Sequence, residues 1–216
     1  MPTTALITND IDVLYQDEHL LIVNKAANLL TVPGRGIDKQ DCLINRLIKP
    51  FPDARIVHRL DMATSGIVVT ALSHTAQAAM GDLFAQRQIQ KIYIALVAGK
   101  LKKTGTVDLP LLCDWDNRPK QKVDLDHGKQ AKTHFTVLDY QIKEDSSRVE
   151  LRPITGRSHQ LRVHMLALGH PIVGDYFYAP EEIKNKSERL LLHAHQLRFN
   201  HPITHEPIHI SSAVPF

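Results

Sequence analysis

Apolar residues recur along this chain with two different spacings, and the switches between them mark its elements. Leu20-Leu21-Ile22-Val23-Asn24-Lys25 is a compact β-prone run, and Pro33, Gly34 and Gly36 soon afterwards break regular structure, which predicts a strand leading into a loop. From Asp41, a side chain suited to capping, Leu43, Ile44, Leu47 and Ile48 repeat at helical spacing until Pro50. Residues 66–72 read as a buried strand, after which Ser73 is placed to cap a helix carrying Ala76, Met80, Leu83 and Phe84 on one face. Strand character returns over residues 92–98, 134–140 and 148–152, the last two separated by a polar turn at 143–147. Ser158 opens a further helix with Leu161, Met165 and Leu168 on one face, closed by Gly169 and Pro171, and Arg162 falls off that apolar stripe. Residues 114–120 follow neither period and predict a loop. The lone Trp115 within it reads first as a plug for the core and second as a platform for stacking a base.

Short strands with interspersed helices, lacking regular βα alternation, predict an α+β fold around a mixed, largely antiparallel sheet flanked by helices and loops. With no Gly/Ser-rich linker and no internal repeat, a single domain is the simplest organisation. Composition agrees with an ordinary globular protein: 216 residues, 43% hydrophobic and 23% charged, with no apolar run long enough for a membrane span. The first ten residues show no secretory pattern and the two cysteines, Cys42 and Cys113, form no CxxC pair, so a cytoplasmic protein with plain thiols is expected. A net charge of +3 is small, but its distribution is uneven. Residues 87–132 hold ten Lys and Arg against five Asp, and residues 148–170 hold four Arg and three His against Glu150 alone. Two basic stretches of this kind fit either a surface for a polyanion or a solvated charged face.

Candidate chemistry narrows by exclusion. There is no GxxxxGK[ST] loop and no GxGxxG after a strand, so a nucleotide cofactor has no foothold. The thirteen histidines include the pairs His159/His164 and His193/His195, but neither has HExxH spacing and no PCxxC accompanies them, so no metal is expected. Asp61 stands between Arg59 and the turn-forming Thr64-Ser65-Gly66, at the entrance to an apolar strand. A nucleophile or base there must be ionised, which in an apolar pocket requires a cation nearby. Arg59, Arg157 and Arg162 are all candidates for that cation; the bland alternative is a turn aspartate.

His58-Arg59-Leu60-Asp61-Met62-Ala63-Thr64-Ser65-Gly66 resembles the HRLDxxTSG signature of the RluA-type pseudouridine synthases. Lys91-Ile92-Tyr93-Ile94-Ala95-Leu96-Val97 is similar to that family's KxYxAxV strand, and Gly156-Arg157-Ser158-His159-Gln160-Leu161-Arg162-Val163-His164 to its GRxHQxRxH motif. The opening strand from Tyr15 to Lys25 and the closing Leu192-His193-Ala194 with His201-Pro202 also match in order. The resemblance implies the pseudouridine synthase fold and an isomerase that converts uridine to pseudouridine within RNA, with no cofactor. Carried over residue by residue, it makes Asp61 the catalytic carboxylate, Tyr93 the aromatic that stacks on the target base, and Arg162 the partner of Asp61. It places Arg59, His58, Arg118, Lys120, Arg157 and His159 against the RNA. Residues 113–122 and 164–171 resemble the subgroup acting on stem-loops of both large-subunit (23S) ribosomal RNA and transfer RNA, there the anticodon stem-loop. The alternatives are an enzyme restricted to one of these RNAs, a non-catalytic RNA-binding module, or a metal-dependent hydrolase. The expected organisation is an extension at 1–14 and a catalytic domain at 15–216, with no S4-type domain, acting as a monomer. One departure bears on a loop: Ala26 and Asn28 stand where the family has Pro and Gly.

Overall fold

A computed structural model describes residues 7–8 and 11–216, and the chain gathers into two compact units. One consists of the residues up to Lys91 together with Ala194–Pro215; the other is Ile92–His193 with Phe216.

In chain order the elements are β1 (Ile7–Thr8), β2 (Ile11–Gln16), β3 (Leu20–Lys25), α1 (Leu43–Leu47), β4 (Arg55–Ile56), β5 (Ser65–Ala71), α2 (His74–Ala85), β6 (Gln90–Ala98), β7 (Thr104–Asp108), β8 (Leu111–Cys113) and β9 (Gln121–Val123). There follow β10 (Lys132–Gln141), β11 (Ser146–Pro153), α3 (Gln160–Ala167), α4 (Glu181–Lys184), β12 (Leu192–Asn200) and β13 (Pro207–Ser211). No helix among the described residues is long and apolar enough to cross a membrane.

In the first unit, β3 lies antiparallel between β2 and β5, with Ile22 opposite Val69 and Lys25 opposite Gly66. Strand alternation sends Leu20, Ile22, Ile67 and Val69 to one face, where they pack with Met80 of α2 and with Leu197, Phe199 and Ile208. Ser73 caps α2 as its position predicts, accepting from the Ala76 amide at 3.1 Å. Asp41 does not cap α1: its carboxylate pairs with Arg46 at 2.7 Å, and the residue at the cap is Cys42. The free amides of that first turn are satisfied instead by the preceding loop, Leu43 by the Leu30 carbonyl and Ile44 by that of Thr31.

In the second unit β6, β11, β10 and β7 form an antiparallel sheet, and β8 and β9 make a separate hairpin. Helix α3 begins at His159, which adopts a left-handed conformation with φ 53°, and not through a Ser158 cap. Its sequence conceals how deeply it is buried. Gln160, Arg162 and His164 lie inside beside Leu161, Val163 and Met165, because each polar side chain finds a fixed partner. Gln160 bonds Thr155, Thr133 and the Lys132 carbonyl, while His164 lies between Thr133 and the Leu109 carbonyl. Arg162, off the apolar stripe, is nevertheless only 3% exposed.

Candidate active site

In the first unit the catalytic candidate is held from both sides. The Thr31 hydroxyl donates to the Leu60 carbonyl at 2.8 Å and accepts from the Leu60 amide at 3.2 Å, fixing the residue before Asp61. The Asp61 carbonyl then closes a turn on the Thr64 amide at 3.1 Å. Lys25, only 1% exposed at the end of β3, sends its ammonium to the carbonyls of Met62 at 3.1 Å, Leu29 at 2.7 Å and Ala26 at 2.8 Å. A buried ammonium is tolerated there because carbonyl oxygens replace its water. Asn28 completes the loop that supplies two of them: its φ of 61° is the left-handed conformation that asparagine tolerates, so it stands in for the family's glycine. Gly66, the second residue of β5, has φ 113° and lies where a methyl group would strike the Ala194 backbone, which explains a residue without a side chain in Thr-Ser-Gly.

The clamp yields a prediction. Lys25→Met keeps the length of the side chain but leaves three carbonyls without the ammonium, and should cost about 3 kcal/mol of stability. Urea denaturation measures it; a midpoint unchanged from wild type would deny Lys25 this role.

His58, grouped above with the RNA-contacting residues, is turned inward. Its Nε2 accepts the Val69 amide at 2.9 Å, and its ring lies 4.7 Å from that of Phe84. The bond extends the edge contact that β4 makes with β5 and leads the chain into Arg59-Leu60-Asp61. Burial, with a smaller repulsion from Lys91, pushes the imidazole down from its ordinary 6.5 to about 3. The unfolded chain therefore takes up a proton that the folded one refuses. Stability from neutral His58 is complete above pH 6.5 and is lost as pH falls toward 3. Stability of the wild type should fall more steeply than that of His58→Gln across this window, with a slope difference approaching about 1.4 kcal/mol per pH unit. Denaturation curves from pH 4.5 upward test it, and parallel profiles would count against it.

In the second unit the centre is Arg162 on α3. Its Nε and Nη2 reach Asp175 Oδ2 and Oδ1 at 2.7 and 2.6 Å, a two-pronged bond with both side chains buried. Asp175 Oδ1 also accepts the amides of Phe177 at 3.0 Å and Tyr178 at 3.2 Å. That local loop sets the two rings against the guanidinium, 5.2 and 5.1 Å from their centres. Tyr178 joins His159 and the β8–β9 hairpin to the same cluster, its hydroxyl lying 2.7 Å from His159 Nδ1 and 2.7 Å from the Gln121 amide. Gly174, at φ 76°, makes the preceding bend possible, since a methyl there would strike the Arg189 carbonyl.

His159 and Arg162 are thus brought together through Tyr178, and Arg157 joins their helix start by donating its amide to Gln160 Oε1 at 3.0 Å. Arg157 Nε holds the Gln130 carbonyl at 3.1 Å. Tyr93 lies on β6, opposite Leu151 of β11. Arg118 and Lys120 lie in the turn between β8 and β9, and Arg59 is exposed beside Leu60 in the first unit. Histidines considered as metal ligands have other tasks: His159 bonds Tyr178, His164 bonds Thr133, and His195 bonds the Ser212 carbonyl. Lys25 lay within a quoted motif without a role, and Thr31, Asp175 and Tyr178 went unnoticed. Only Asp175 had a local signal, an acid directly after Ile172-Val173-Gly174 and before three aromatic residues.

The fold, the clamped aspartate and the caged arginine define a class, which comparison with known proteins states directly. The chain belongs to the RNA pseudouridylate synthase family, whose model matches residues 19–167, and it is an RNA pseudouridine synthase, an isomerase. Within that class it is 51% identical over 205 residues to the dual-specificity RNA pseudouridine synthase RluA of Yersinia pestis, covering 94% of this chain and 99% of that one. The RluA of Escherichia coli K12 is 52% identical over 191 residues, covering 88% of this chain and 87% of the relative. Among solved structures, human RNA pseudouridylate synthase domain containing 1 superposes with a TM-score of 0.81 at 31% identity, covering 96% of this chain and 84% of that chain. Human RNA pseudouridylate synthase domain containing 4 gives 0.75 at 28% identity, covering 94% and 88%.

Proposed function

We propose that the chain isomerises uridines in stem-loops of both large-subunit (23S) ribosomal RNA and transfer RNA, in the latter within the anticodon stem-loop. The observation carrying this reading is the identity of about half of all positions with relatives described as dual-specificity, extending over nearly their whole length. The bond from N1 to C1′ breaks, the base rotates, C5 joins C1′, and the proton lost from C5 is balanced by one gained at N1. The sum is redox-neutral and calls for no cofactor.

Asp61 is the catalytic carboxylate and acts ionised; Tyr93 stacks on the target uridine, and Arg162 acts with them as the catalytic cation. The target base must leave its stack, which costs about a few kcal/mol, and Arg59 fills the space it vacates. Arg118, Lys120, Arg157 and His159 meet the RNA, so affinity falls steeply with salt. His58 serves the same end by holding the strand that leads to Arg59. The enzyme acts as a cytoplasmic monomer through one catalytic domain at 15–216.

The test is incubation with total RNA from a strain lacking the modification, followed by mapping of pseudouridine at nucleotide resolution. New pseudouridine in both 23S and transfer RNA is expected. Signal in one of them alone would reduce the reading to a single-substrate enzyme, and signal in neither would sink it.

A further inference from the structure

The tip of the β8–β9 hairpin carries an aromatic side chain that no internal packing explains. Trp115, first read as a plug for the core, is 65% exposed. Its backbone is nevertheless well ordered by local bonds: the Asp114 amide meets the Lys120 carbonyl at 3.0 Å, the Asn117 amide the Asp114 carbonyl at 3.1 Å, and the Lys120 amide the Asn117 carbonyl at 3.0 Å. The Asn117 side-chain amide donates to the Asp114 carboxylate at 3.0 Å. Arg118 holds the Trp115 carbonyl through Nε at 3.2 Å and lays its guanidinium 4.9 Å from the centre of the indole.

We propose that Trp115 is a stacking platform for one unpaired nucleobase of the substrate RNA, distinct from the uridine that is isomerised. This rests on the reading of RNA as substrate. An exposed indole on a turn whose backbone is already bonded has less freedom to lose when a flat ring covers it, so stacking on it is favourable for any base. Arg118 lies over part of the ring, and the rest is open. Arg118, Lys120 and Lys122 outnumber Asp114 and Asp116 on this hairpin, and the Asp114 carboxylate is engaged within the turn, so the surroundings favour a phosphate-bearing partner. The root of the hairpin is anchored beside Arg162: the Gln121 amide binds the Tyr178 hydroxyl, and Val123 packs with Leu111 and Val163 of α3. A base on Trp115 is thereby registered against the helix that carries the catalytic arginine.

Because the chain has a single tryptophan, its fluorescence reports on this position alone. The probe is a stem-loop RNA that the wild-type chain has first been shown to convert. Titration should quench the fluorescence. Trp115→Ala should raise Kd about tenfold with kcat at saturation unchanged, Trp115→Phe should stay within about threefold of wild type, and Trp115→Leu should behave like the alanine variant. Removing single bases from the RNA should identify one position at which the wild-type advantage over Trp115→Ala vanishes. Unquenched fluorescence with wild-type affinity in Trp115→Ala overturns the proposal, as does a leucine variant that binds as well as phenylalanine. Either result leaves conversion of the RNA, and hence the substrate reading, intact. A wild-type chain that converts no RNA removes that reading and this proposal together.

Discussion

Asp61→Asn is expected to lower pseudouridine formation by about four orders of magnitude while changing stem-loop affinity by less than about twofold. The substitution removes the charge and keeps the shape. What holds the turn is backbone: the Thr64 amide on the Asp61 carbonyl, Thr31 on Leu60, and Lys25 on the Met62 carbonyl. These bonds use main-chain groups that asparagine also carries, and asparagine keeps the shape of the side chain, so the variant should fold with its loop in place. Exposed Arg59 and the basic residues of the second unit, proposed to carry the salt-dependent part of RNA binding, are untouched. Single-turnover conversion and filter binding on one stem-loop measure the two effects. Normal turnover in the variant would mean that Asp61 is only a turn residue, while equal losses in turnover and affinity would make it a binding group.

The local part of this site could be read from the chain, and the part assembled over distance could not. The turn at Asp61 was visible because its closing bond spans three residues and Thr-Ser-Gly names it. Strands β3 and β5 were visible as short continuous runs of apolar and β-branched residues buried on both faces, and helix α2 because its buried Ala76 and Met80 recur at helical spacing. Lys25 and Thr31 act on residues 29 to 37 positions away, and neither spacing nor residue type signals such a bond. Asp41 had the chemistry of a cap, yet Arg46 offered its carboxylate a nearby cation and the preceding loop satisfied the helix amides through the Leu30 and Thr31 carbonyls. Trp115 was misread because an apolar side chain is assigned to the core by default, whereas a hairpin between two short strands lifts this one into solvent. How Arg162 is held was not legible, for the reverse reason. A helix buried nearly all round shows no polar face, and an acid that meets the arginine lies thirteen residues later, beyond the reach of any local pattern.

That acid supports the second large effect. Asp175→Ala should destabilise the protein by about 3–5 kcal/mol, because it takes the two-pronged carboxylate away from a buried guanidinium. The same change releases the amides of Phe177 and Tyr178, so the rings beside Arg162 should loosen as well. Removing both charges is less harmful than removing one, since the cost lies in the uncompensated charge and not in the pair's net worth. Arg162→Met combined with Asp175→Ala should therefore fall short of the sum of the single effects by about 2 kcal/mol or more in a double-mutant cycle. Additive losses would show that the two side chains do not act as a unit. Activity separates a structural pair from a catalytic one. Asp175→Asn retains the volume and one acceptor; with Arg162 in its proposed catalytic role, it should lower kcat more than it raises KM, because it loosens the bond that aims the guanidinium. Arg162→Lys keeps the charge but cannot reproduce the planar two-pronged bond, so it should not rescue turnover even where it folds. If lysine restored kcat, the demand at this position would be for charge alone and the cage around the guanidinium would have no catalytic consequence.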